Sequence, residues 1–351
     1  MQAFKQFLEI FTLNSKIQPR RVNDLKRQEL EESFYKTSKL FLITSEIFLT
    51  APMGLHKPLW QRQPKDKILH YLHVLWCLGI YFALAACVYD EYTESNIDLP
   101  TTQKPLYFSE YLVYLIHLFE LIRLINVRGG VIFWKFQSFI IDFDRDLLNF
   151  NMKCDYNELK GFLRQHMGLI VLHIICTIII GYFYSNGILI SFARTNTVYV
   201  LPNIIINISL IQYYALLYMI YKRSEKLCCL VDQHLNNRCS LDTWNCRLQL
   251  HYIRSLYARL EEFTQMVNNQ FSISILLVYF GSTINLSVNI FLIYKYLKAW
   301  DTSDLAWIAY SLDWTFMHVG KMFLILYYNQ KIQNMMNNVR NSLEILFNLI
   351  F

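Results

Sequence analysis

Blocks of about 20 mostly apolar residues, the length a helix needs to cross a bilayer core, recur along this chain and constrain its fold more than anything else. Five qualify readily, at 68–89, 168–193, 198–221, 269–296 and 305–328. A sixth, 106–127, carries Glu110, Glu120 and Arg123, but its length and aromatic content still read as a span. The composition agrees: 54% apolar and 17% charged, against roughly 45–50% and about 25% in soluble domains. The expected fold is an all-α membrane protein, a multi-span helical bundle with cytosolic helix extensions forming an anchor region.

Charge between the spans sets the orientation. Residues 1–67, 128–167 and 222–268 are long and rich in Lys and Arg, whereas 90–105 carries four acids against Lys104, and 194–197 and 297–304 are short. The alternation places the N-terminus, 128–167, 222–268 and the tail 329–351 in the cytosol. The block 38–54, interrupted by Glu46 and ending at Pro52 and Gly54, reads as an interfacial or re-entrant helix before the first span. Taking 38–54 as a first span would give a seven-span G-protein-coupled receptor. That topology puts a basic leader outside, against the charge rule. It also lacks a D-R-Y-like triplet, an N-P-x-x-Y, and any outer N-x-S/T acceptor, since Asn207 and Asn285 lie within spans.

The chemistry-bearing motifs of enzymes do not occur: no G-x-S-x-G, Walker loop, H-E-x-x-H or Gly-rich phosphate loop. No cofactor and no nucleic-acid partner are expected. Five of the eight cysteines, Cys154, Cys228, Cys229, Cys239 and Cys246, fall in segments assigned to the reducing cytosol, so no disulfide framework is expected. Cys239 and Cys246 have His234 and His251 nearby, but the spacing matches no zinc pattern, so no metal site is assigned. A transporter would show an internal repeat with matched broken helices, and the two halves show none.

The stretch 250–297 has no proline and one glycine, carries charge in its first half and almost none in its second. Ile253, Leu256, Tyr257, Leu260, Phe263 and Val267 recur at spacings of three and four, lining one helical face. The pattern predicts a single helix about 70 Å long that leaves the bilayer and packs against amphipathic segments at 135–165, 222–235 and 329–347. Ile253, Leu256, Tyr257, Leu260 and Phe263 are expected to carry subunit assembly.

Three segments carry a resemblance. "IRSLYARLEEFTQMVNNQFSISILL" resembles the insect gustatory receptor block in which a Leu-Tyr helix leads through an Asn-x-x-Phe step into a span. "LILYYNQKIQNMMNNVRNSLEIL" and "LITSEIFLTAPMGL" are similar to the cytosolic end of the family's sixth span and to its helix before the first. The resemblance implies a tastant-gated cation channel, a homo- or hetero-tetramer of related subunits in the plasma membrane of sensory neurons. Family members end in a further pore-lining helix with a Thr-Tyr…Gln-Phe signature. This sequence stops at "SLEILFNLIF", so the resemblance leaves open a truncated isoform, a degenerate or non-conducting modulatory subunit, or a fragment of a longer product.

Polar groups within spans are costly and mark candidate sites. Asp313 and Trp314 are read as bordering a pocket for a small-molecule tastant, with His318 on its floor and Tyr310 one turn away. An internal polar pair between helices, with Lys321 snorkelling to the cytosolic side, is the competing reading. Asn285 and Asn289 form a stripe with Tyr279, Ser282 and Thr283, serving either ligand contact or interhelical bonding. Asn207 and Gln212 complete the candidates. Glu120 and Arg123 read as a local ion pair.

Overall fold

A computed structural model describes residues 20–57, 65–94, 104–125, 130–184, 192–193, 196–236, 244–298 and 305–350. The leader before Arg20, most of each expected outer loop, and Cys239 lie outside these residues, as does the side chain of Cys246. The described residues are helical with no strand. We label the helices α1 (Arg20–Ile47), α2 (Lys65–Glu94), α3 (Lys104–Arg123), α4 (Gly130–Leu148), α5 (Tyr156–Tyr184), α6 (Leu201–Asn236), α7 (Trp244–Lys298) and α8 (Leu305–Ile350). A π turn, Asn196–Val200, leads into α6, and Pro202 sits in that helix's first turn, where its missing N–H removes no helical bond.

The apolar windows of α2 and α5 are each only 17% buried, whereas that of Asn196–Leu235 is 78% buried. α6 is therefore the central post of the bundle, and α2 and α5 are peripheral. Their outward Leu75, Trp76 and Phe82 on α2, and Leu172, Ile175 and Ile179 on α5, are exposed. Continuous apolar faces of this kind are compatible with lipid and not with water. Among the described residues, four helical segments, Tyr71–Asp90, Tyr156–Phe183, Asn196–Leu235 and Leu248–Lys298, are long and apolar enough to cross a membrane. The protein is a multi-pass, all-α membrane protein.

α7 is one uninterrupted helix of 55 residues, about 82 Å long. Its charged half packs where periodicity indicated. Phe263 stacks on Phe139 of α4 at 4.1 Å and meets Phe136 edge-on. Arg259 donates to Asp146 of α4 at 2.6 Å, and Arg340 of α8 to Glu261 at 3.1 Å. Leu227, Leu230 and Val231 of α6, and Ile332, Val339, Leu343 and Leu346 of α8, complete this core. Ile253, Leu256, Leu260 and Phe263 are 0–1% exposed and Tyr257 8%, so their apolar face is consumed by α4, α6 and α8 of the same chain.

α1 begins at Arg20, well before the 38–54 block. Leu30, Phe34, Tyr35, Ser38, Phe41, Leu42 and Ser45 form its buried stripe at spacings of three and four. Beyond Ile47 the chain turns through Gly54, whose φ of +83° a side chain would resist. Glu46 clamps the turn: it accepts from the His56 backbone N–H at 2.9 Å and lies 2.8 Å from His56 Nδ1. His73 of α2 meets the Glu46 carbonyl at 2.6 Å, tying α1 to α2.

Candidate functional site

The segment Tyr310–Lys321 of α8 lies between α5, α6 and α7, and presents different residues to each. Toward α5, Asp313 accepts a hydrogen bond from Thr177 Oγ1 at 2.8 Å and lies 3.4 Å from His173 Nδ1. Thr177 and His173 are four apart, on one face of α5. His173 follows Leu169 and Ile170 along a groove of about 340 Å³ between α5, α6 and α8. Its polar lining comprises His166, His173, Asn207, Tyr214, Asp313 and Lys321, and its apolar lining includes Leu210, Phe316, Met317 and Leu324. That volume falls within the range of roughly 300–1,000 Å³ occupied by small-molecule sites, which likewise combine apolar walls with a few converging polar groups.

Trp314, His318 and Lys321, four and seven residues along one helical face, turn inward. Trp314 is 3% exposed, with Tyr199, Tyr310, His173 and His318 around its ring at centroid distances of 5.9–6.3 Å. Its buried Nε1 has no hydrogen-bond partner. Tyr199 in turn bonds Tyr111 of α3. His318 pairs through Nδ1 with Ser282 of α7 at 3.0 Å, leaving its buried Nε2 without a partner. Lys321 does not snorkel. It is 6% exposed, and its Nζ donates to Asn203 Oδ1 at 2.6 Å. Asn203 Nδ2 donates to Tyr114 of α3 at 2.9 Å. His117 meets Ser274 of α7 at 2.6 Å, and Gly281 permits this approach, since a Cβ there would stand 3.1 Å from Val113 Cγ1.

The candidates read from the sequence therefore separate into groups. Asp313 and Asn207 share the groove, with Asn207 directed at Met317 Sδ, 3.8 Å away. Tyr310, Trp314 and His318 form the aromatic and polar column immediately behind it. Asn285 and Asn289 are buried and bond each other. Thr283 is exposed, its hydroxyl returned to the Tyr279 carbonyl at 2.9 Å, while Tyr279 itself is half-buried. Gln212 joins none of them. It bonds Thr50 at 3.2 Å and lines a separate cavity. Sequence reasoning passed over His166, His173, Thr177 and Tyr214. The polar pair His173 and Thr177, at helical spacing within an otherwise apolar block, was the available signal.

Comparison with known proteins decides the family. The family model described as 7tm Chemosensory receptor matches residues 62–349. This chain belongs to that family. It is also 28% identical over 309 residues to the Drosophila melanogaster protein described as "Putative gustatory receptor 59f", the match taking in 87% of this chain and 72% of that relative. That relative's description agrees with the gustatory-receptor resemblance carried by the Leu-Tyr and Asn-x-x-Phe block.

Proposed function

We propose that this chemosensory receptor binds a small soluble tastant in the groove between α5, α6 and α8, and that occupancy opens a cation conductance formed with other subunits. The observation that carries the reading is the convergence of Asp313, His173, Asn207 and Lys321 on one groove inside an otherwise apolar bundle. Such groups are retained in a membrane where they do work. Asp313 supplies an acceptor for a hydroxyl or a cationic nitrogen, Asn207 an amide, and Phe316 and Met317 an apolar wall. Trp314 and His318 stand behind Asp313 and hold the α8 face in register. Bitter nitrogenous compounds and sugars both offer the matching donors.

In this reading the chain is a receptor and not an enzyme. It lies in the plasma membrane with its N-terminus in the cytosol, in a homo- or hetero-tetramer with related subunits. The test is whole-cell recording from cells that express the chain alone and with related subunits, against a panel of sugars and alkaloids. GDP-β-S in the pipette separates direct gating from G-protein coupling. The expected result is a tastant-evoked cation current that persists with GDP-β-S and is weakened by Asp313→Asn. A response abolished by GDP-β-S, or one indifferent to Asp313, overturns the proposal.

A further inference from the structure

A second cavity, of about 60 Å³, lies away from the groove where α1, α4, α5 and α6 meet. Its walls are apolar, with Phe34 and Phe41 of α1, Phe133 and Phe136 of α4, Leu163 of α5 and Leu216 of α6 among them. Three polar side chains also line it: Ser38, Gln137 and Gln212. Two of them are engaged elsewhere. The Ser38 hydroxyl donates to the Phe34 carbonyl at 2.8 Å. Gln137 accepts from Tyr35 at 2.8 Å and donates to the Leu55 carbonyl at 3.4 Å.

Gln212 differs. Its Nε2 donates to Thr50 Oγ1 at 3.2 Å, and Thr50 donates in turn to the Ser45 carbonyl at 3.1 Å. In this relay Thr50 gives its proton to Ser45 and accepts from the Gln212 amide. Gln212 is 5% exposed, and its Oε1 has no hydrogen-bond partner among the described residues. A buried acceptor left unsatisfied beside apolar walls is unfavourable by about 1–3 kcal/mol, and an occupant that donates one hydrogen bond relieves it.

We infer that this cavity is a binding site for a small aliphatic alcohol, whose hydroxyl donates to Gln212 Oε1 while its chain lies against the Phe and Leu walls. At roughly 10–15 Å³ for each water-sized occupant, the cavity admits about four to six non-hydrogen atoms. That is the size of butanol or pentanol, and too small for a sugar or an alkaloid. The site is independent of the tastant groove, with which it shares only the helices α5 and α6. An alcohol held there bridges the α1 turn to the central post α6.

The inference is tested on the full chain in nanodiscs of deuterated lipid, by saturation-transfer NMR with 1-butanol and its isomer methyl propyl ether, empty nanodiscs being subtracted. The two probes match in size, but only the alcohol donates a hydrogen bond. The expected result is saturable transfer to butanol with an affinity about tenfold above that for the ether. Gln212→Met should erase the difference between the isomers, and Ala215→Leu, which fills the cavity, should remove both signals. Equal affinities for the isomers in the unsubstituted protein overturn the inference without recourse to any variant. So does butanol transfer no greater than in empty nanodiscs, as a cavity that takes only water would give.

Discussion

Asp144 and Arg223 show what a single pair of side chains contributes here. They are 1% and 3% exposed and meet at 2.5 Å, with Tyr156 also donating to Asp144 and Arg223 donating to the Met219 carbonyl at 2.8 Å. A buried pair contributes little net stability, whereas removal of one partner leaves an uncompensated charge. Asp144→Asn is therefore expected to destabilise the protein by about 3–5 kcal/mol, and Asp144→Leu combined with Arg223→Met far less. Thermal unfolding of the purified variants compares them. Cys154 abuts the same pair, and burial pushes its thiol up to about 12, with Arg223 pulling the other way. Unfolding returns a thiol to about 8.5, so the folded state loses this contribution as pH rises from there towards 12. At pH 8 maleimide should modify the exposed Cys229 and spare Cys154; equal rates at the two would contradict the placement. Neither the pair nor the Asp313–His173 contact was legible beforehand. Their members lie 79 and 140 positions apart in the sequence, and only helix packing chooses such partners.

At the scale of elements, α7 was the most legible part of the molecule, because a helix that changes solvent writes its period in one half and its length in both. What remained hidden was the owner of the surface opposite its apolar face. Period identifies a face, and the choice between the same chain and a neighbouring subunit rests on where α4, α6 and α8 run. Leu260, wholly buried, gives the measurable consequence: Leu260→Ala should cost about 2–5 kcal/mol and lower the melting temperature of the isolated protomer. A variant that alters only the oligomer, with an unchanged melting temperature, would assign Leu260 to subunit assembly instead. α1 reaches further back than the 38–54 block for a different reason. Its charged first turns masked a stripe, Leu30 to Ser45, that continues the same helix.

The whole molecule follows hydropathy closely in class and loosely in detail. Long apolar blocks fix an all-α membrane bundle, while they say nothing of which block is central. That role fell to α6, where Asn203, Asn207 and Gln212 share one helix but face different neighbours. Sequence spacing grouped Asn207 with Gln212; packing sends the first to the groove and the second to the alcohol-sized cavity. Orientation follows from charge alone, and a tag at the N-terminus should be stained only after permeabilisation of intact cells. Staining without permeabilisation would invert the topology.

The groove itself is tested most directly by a cysteine placed in its wall. Met317→Cys, in a background where Cys229 is replaced by Ser, is treated with a small thiosulfonate reagent with and without a tastant found active in the recordings. Modification that reduces the evoked current, and that slows at least several-fold in saturating tastant, is the expected result. A rate of modification unchanged by tastant, with the response intact afterwards, would place the ligand elsewhere and contradict the account.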